Sequence, residues 1–185
     1  MRIAVVGRGN IGGGLGERWE RAGHVVARIG KDGGDVSEAD AVLIAVPGGA
    51  VAEALDGVKG IEGKTVIDAT NLIGVDPPAG FDSNAAYIKS RTNGPTAKSF
   101  NINFARNFDE IDSQPITPSQ LYSGDEEARE TTEQLIRDAG FEPARVGGLD
   151  KASALEGALG IFFGVSQEAG AAPFYRLWAP GELSA

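Results

Sequence analysis

The chain has 185 residues, 42% of them hydrophobic and 23% charged, with a formal net charge of −9. That length suits one well-buried core with a short appendage rather than two full domains, and the acidic balance argues against nucleic acid or an anionic membrane as a partner. Cysteine is absent and histidine occurs once; disulfides, dithiol chemistry, thiolate nucleophiles and most zinc sites are thereby excluded, and a serine hydrolase relay is left with His24 alone, which reads as a turn residue.

No apolar run is long enough to cross a bilayer. The N-terminus enters a strand almost at once, so no signal peptide is expected and the cytoplasm is the expected compartment. Ile3, Ala4, Val5 and Val6 are apolar without alternation, as in a central parallel strand buried on both faces. The strand meets Gly7-x-Gly9-x-x-Gly12, the pattern of a dinucleotide-binding fingerprint. In such a loop Gly7 permits the tight turn, Gly9 the close approach of backbone to pyrophosphate, and Gly12 the packing of helix on sheet. The free amides and positive dipole end of that helix favour a phosphate.

The glycine pattern alone is weak in a chain with 27 glycines; its setting strengthens it. Ile11, Leu15, Trp19 and Ala22 keep helical spacing, Gly23 suits a C-terminal cap, and residues 24–29 read as the second strand of a βαβ unit. Residues 30–34 follow, where cofactor choice is written: an acid here holds the ribose of NAD, whereas cations suit the 2′-phosphate of NADP. Lys31, with Arg28 and Arg8 near it, favours NADP; Asp32, at the spacing of a ribose-binding acid, keeps NAD open, and plain solvated surface is the other reading of each of these charges.

Residues 35–40 are too few for the usual second crossover helix. Residues 41–46 form a buried strand ended by Pro47, and Gly48-Gly49 turns into a helix over 50–55. Ala45, Val46 and Pro47 are expected to line the cofactor channel, because ligands of doubly wound folds lie beyond the carboxyl ends of strands; a plain strand-to-helix turn is the other reading. Residues 64–71 give the next strand, with Thr70 and Asn71 at the ligand edge, although Asp68 and Asn71 also suit local backbone capping.

A loop over 75–82, a short helix over 83–90, a turn at Asn93-Gly94-Pro95 and a strand over 96–101 come next. Residues 107–118 read as a polar loop, either a lid or a plain connection. After a strand over 119–123, Ser123-Gly124-Asp125-Glu126 fits a capping box. The helix it opens closes at Gly140, presenting Ala128, Thr132, Leu135 and Ala139 to the sheet and Glu130, Glu133 and Arg137 to water. Residues 141–146 are the last strand. A helix from near Asp150 to near Gly170 carries Ala152, Leu155, Leu159 and Phe162 on one side. The aromatic tail 174–178 would pack on its own domain, across a dimer, or as a wall for a planar second ligand.

The expected architecture is α/β, a doubly wound and mainly parallel Rossmann-like sheet. Residues 1–148 form the dinucleotide-binding unit; 149–185 are a C-terminal helix and tail packed on it or on a partner subunit in a homodimer.

Several pieces in order make the chain resemble the small coenzyme F420-dependent NADP oxidoreductase family, which is also similar to the reductase domain of membrane ferric reductases. They are Gly7-Arg8-Gly9-Asn10-Ile11-Gly12, Gly30-Lys31 where the family often has Ser-Arg, Ala45-Val46-Pro47, Asp68-Ala69-Thr70-Asn71, Ala97-Lys98-Ser99-Phe100-Asn101, and Tyr122-Ser123-Gly124-Asp125 before a helix. The resemblance implies that Gly9, Asn10, Ile11 and Lys31 hold the nucleotide, and that Val46, Pro47, Ala69, Ser99 and Asn101 border the nicotinamide and its acceptor. It implies hydride transfer between NADP(H) and a stacked deazaflavin, coenzyme F420, or a flavin. The cofactors then carry the chemistry and the protein supplies proximity, orientation and exclusion of water. The chain departs from the family at Gly30, which lacks the serine hydroxyl, at Gly48, where deazaflavin-using relatives are often bulky, and in the missing second helix.

Two other readings compete. A β-hydroxyacid or pyrroline-carboxylate type dehydrogenase needs a long helical substrate domain, for which too few residues follow the last strand. A catalytically silent nucleotide-binding or sensor protein fits the lack of an evident proton donor.

Overall fold

The structure, a computed structural model, describes residues 1–177. In β1 (Arg2–Val6) everything after Arg2 is buried, as a strand covered on both faces demands. The chain turns into α1 (Asn10–Arg21), which buries Leu15 and Trp19, and returns as β2 (Val25–Ile29), parallel to β1. Gly23, with φ +92°, ends α1 in the left-handed conformation glycine tolerates. His24 sits in the turn, its ring between the Met1 amino group at 3.1 Å and Asp138 at 2.8 Å. It ties the N-terminus to a distant helix end.

No helix follows β2. The chain runs through β3 (Gly34–Asp35), the fully buried β4 (Ala41–Ile44), α2 (Val51–Asp56) and β5 (Val58–Lys59). β3 and β5 pair as a separate small sheet. There Gly33 lies so close to Gly57 that an added Cβ would sit 2.0 Å from its carbonyl oxygen.

β6 (Thr65–Asp68) leads to α3 (Asn84–Thr92), capped by Ser83, whose hydroxyl accepts from the Ala86 amide. Then come β7 (Thr96–Ser99), β8 (Ser119–Gly124), α4 (Arg129–Asp138), β9 (Glu142–Gly147) and α5 (Ala152–Ala169). The main sheet has seven strands in the order β2-β1-β4-β6-β7-β8-β9. It is parallel except between β7 and β8. One core cluster joins Leu15, Trp19, Phe108, Leu135 and Phe141; the other, on the opposite face, joins Val42, Val51, Leu55, Val66 and Ile88. The expected α/β sheet is what folds.

Several local expectations are corrected. The polar stretch 107–118 is neither lid nor bare connection, because Ala105–Ser113 forms a 3₁₀ helix burying Phe108 and Ile111. Those residues stand three apart, which a 3₁₀ turn puts on one face. Arg18 holds the segment by donating to the Phe108 and Ala139 carbonyls and to Asp112. The capping box does not form: Ser123 lies within β8, and Asp125, the residue before the helical turn, accepts instead from Lys89 and from the Thr96 amide. Glu133 does not point freely to water. It accepts from the Tyr122 hydroxyl, 2.5 Å away, and pairs with Arg129 and Arg137.

Phe162 is only half-buried and packs on Tyr175, ring centroids 4.8 Å apart. The tail settles on its own chain: Phe174 joins the first core cluster, and Tyr175 accepts from the Ser119 and Leu121 amides of β8. Trp178, the last residue of the aromatic tail, lies outside the described residues.

Candidate functional site

The three glycines of the first loop differ in what surrounds them. A Cβ on Gly7, where φ is +111°, would lie 2.2 Å from the Ala45 carbonyl oxygen, and one on Gly12 would lie 2.1 Å from that of Gly7. Both are required by packing alone. Gly9 has nothing within 4 Å of a Cβ, so the fold leaves open the position where a ligand would approach the backbone. Gly9 is also the N-cap of α1, with no side-chain cap and no acid in the first turn. The leading amides of that helix, with Asn10 and Ile11 as its first residues, remain for an anion.

The loop opens into a cleft of about 580 Å³, within the range of small-ligand sites. Gly7, Arg8 and Gly9 form one side, and Gly30, Lys31, Asp32 and Gly33 beyond β2 another. Ala45, Val46 and Pro47 beyond β4 line the far end, and Ala50, Glu53 and Ala54 close it. Arg8 donates from Nη2 to the Arg28 carbonyl, and its guanidinium covers Gly30, where an added Cβ would meet Cζ at 3.1 Å. Arg28 turns away, forked onto the Glu20 carboxylate at 2.5 and 2.8 Å; that contact raises the arginine pKa and lowers the glutamate's. Lys31 has no ion pair among the described residues. Arg8 and Lys31 are therefore the cations at the cleft, opposed by Asp32 and Glu53.

The second group of expected site residues lies beyond β6 and β7, outside this lining. Thr70 is buried, its amide donating to Asp68 at 2.9 Å, and Ala69 is in the core. Asn71 and Asn101 bond each other reciprocally, Asn71 Nδ2 to the Asn101 carbonyl at 2.9 Å and Asn101 Nδ2 to Asn71 Oδ1 at 3.1 Å. Ser99 donates to the Leu121 carbonyl. These side chains serve the scaffold that holds the ends of β6 and β7. Between Ser99 and Asn101 the chain passes through Phe100 at φ +59°, a conformation costly for a bulky residue; Phe100 is held there by burial against Trp19, centroids 5.8 Å apart.

Sequence reasoning missed the charged cluster beneath this scaffold. Lys98, with no exposed side-chain surface, lies 2.9 Å from Asp68, equally buried, and 3.0 Å from Glu156 of α5. It also donates to the Thr70 carbonyl. Asn84 at the start of α3 donates to the Gly48 carbonyl at 3.0 Å and to Thr70 Oγ1 at 2.9 Å. It thereby joins the turn after β4 to the turn after β6. One signal was available: in Thr96-Ala97-Lys98-Ser99 the lysine is the only charge of a strand placed inside the sheet, and a lysine buried there must find a counter-charge.

No protein-family model matches the chain, and no curated protein gives a significant match. Solved structures do. A candidate F420 dependent NADP-reductase from Arthrobacter sp. FB24 superposes with a TM-score of 0.81 at 20% identity, over 97% of this chain and 99% of that one. A hypothetical protein from Sinorhizobium meliloti gives 0.68 at 23% identity, over 83% and 88%. A reductive aminase from Aspergillus terreus, solved with NADPH and ethyl levulinate, gives 0.67 at 16% identity, over 91% of this chain but 62% of its own. The fold is shared across nearly the full length with the first of these.

Proposed function

We propose that the chain binds NADP(H) in the cleft beside β1 and transfers hydride between it and a small redox co-substrate, a deazaflavin such as coenzyme F420 or a flavin. The observation that carries this reading is the open space at Gly9, above an uncapped helix start, in a cleft that ends at Lys31 and Arg8. Backbone amides of α1 would hold the pyrophosphate, and Lys31 with Arg8 the 2′-phosphate. Val46 and Pro47 would give the ring an apolar wall. The bound coenzyme supplies the hydride; the residues named here bind, orient and exclude water. The likeness to a candidate F420 dependent NADP-reductase supports the choice of acceptor.

A second reading keeps the nucleotide and drops the catalysis. It is favoured by the far end of the cleft, where Ala45, Val46, Pro47 and Ala50 are apolar and Glu53 is the one titratable lining residue. NADPH titration followed by an acceptor assay separates the two: tight binding with no reduction of deazaflavin or flavin selects the silent protein. Lys31→Ala is expected to weaken NADPH by about 1–2 kcal/mol and to leave NADH nearly unchanged, as a charge-assisted phosphate contact would. Equal losses for both coenzymes would remove the 2′-phosphate role. No helix among the described residues is long and apolar enough to cross a membrane.

A further inference from the structure

Two arginines lie at the end of β2, and a neighbouring glycine decides the course of each. Arg28 is drawn back onto α1: its guanidinium forks onto Glu20, and a Cβ on Gly16 would meet its Nη2 at 3.1 Å. Arg8 comes forward from the glycine loop. The Gly7 amide donates to the Ile29 carbonyl at 3.0 Å and Arg8 Nη2 to the Arg28 carbonyl at 3.3 Å, so the loop is tied to the strand end at two successive residues.

Gly30 is where that guanidinium rests. A Cβ built there would lie 3.1 Å from Cζ and 3.2 Å from both Nε and Nη2 of Arg8. Near-equal distances to three atoms of one planar group mean that its flat face, not its edge, covers the residue. Gly30 does not have the positive φ that requires glycine, so its backbone would accept a side chain where the space would not. Arg8 is exposed, lines the cleft and has no ion pair among the described residues.

We propose that Gly30 sets the coenzyme preference by seating Arg8, so that the choice of NADPH over NADH is made by a glycine at the end of β2 acting through a cation of the adjoining loop. The inference rests on the NADP reading and adds the position that controls it. In this fold the residues after the second strand govern what the ribose 2′-oxygen meets. A guanidinium laid flat there keeps its edge donors fixed in direction, which suits paired hydrogen bonds to a phosphate. Lys31, beside it, is a point charge on a flexible stem. A side chain at position 30 would push the guanidinium aside and leave the core untouched, because the displaced group is the end of an exposed side chain.

The test uses the full chain and calorimetry with NADPH and NADH, the preference being the ratio of the two dissociation constants. Arg8→Ala should lower the preference for NADPH by about tenfold, the scale of a lost charge-assisted hydrogen bond. Gly30→Val should lower it as far with the Arg8 side chain still present, and Gly30→Ala by about threefold, since a single methyl asks the guanidinium for a smaller shift. In Arg8→Ala the Gly30 changes should have no further effect on the ratio, because the group they displace is gone. A Gly30→Val chain that keeps the wild-type preference, or that loses as much again in the Arg8→Ala background, overturns the inference and leaves the NADP reading standing. If valine unfolds the chain or excludes both coenzymes, Gly30→Ala decides by the same two criteria. A wild-type chain that binds neither coenzyme, or both alike, overturns the NADP reading itself and the inference with it.

Discussion

Gly9 and Gly12 carry the same letter in the motif and different physical obligations. Gly12 is fixed by a backbone oxygen 2.1 Å from where a Cβ would stand, whereas Gly9 faces open space. Gly12→Ala is therefore expected to destabilise the fold by about 3 kcal/mol in denaturant titrations. Gly9→Ala should cost no more than about 1 kcal/mol, the scale of a changed helix cap, yet lose nucleotide affinity measured by calorimetry. If the two variants lose stability equally, the space at Gly9 is not kept for a ligand. The motif was legible because glycines leave a spacing in the sequence. The partner of Arg28 was not legible, because nothing in its strand announces that Glu20, eight residues earlier on α1, would take its guanidinium.

At the scale of the element, the main-sheet strands of the first half and the helices between them follow the expected order with shifted ends, whereas the small β3–β5 sheet was not expected. β7 stops at Ser99 rather than 101 because the chain turns through the left-handed conformation at Phe100. The largest difference is the 3₁₀ helix Ala105–Ser113, which looks polar in sequence since Phe108 and Ile111 are its only large apolar residues, but which packs against the first core cluster. Phe108→Ala should cost about 3–5 kcal/mol of unfolding free energy, as removal of a buried aromatic ring does; a lid would lose almost none. α5 is split in its environment. Ala152, Leu155 and Leu159 are buried, whereas Ile161, Phe163 and Val165 are exposed.

For the whole molecule, stability should depend on pH through groups whose pKa the fold moves in opposite directions. Glu133 is lowered, chiefly by the Tyr122 hydroxyl, so its contribution is present above the ordinary carboxylate range and is lost as pH falls through its folded value. Glu156 is raised, chiefly by burial; its contribution is complete below the ordinary range and is lost as pH rises through the folded value. Urea midpoints taken across pH should therefore lose a falling limb in Glu156→Gln, and an unchanged curve would show that burial does not raise this carboxyl.

The sequence by itself determined the layered α/β fold, the glycine loop at the head of α1 and the placement of Lys31 beside it, because each is a local pattern of apolar runs, spacing and turn residues. Only the tertiary structure decided the antiparallel β8, the pairing of Arg28 with Glu20, and the burial of Lys98 between Asp68 and Glu156. Those depend on which segments the closed sheet brings face to face. A charged residue's partner is chosen by the geometry of the packed interior, which no pattern along the chain records.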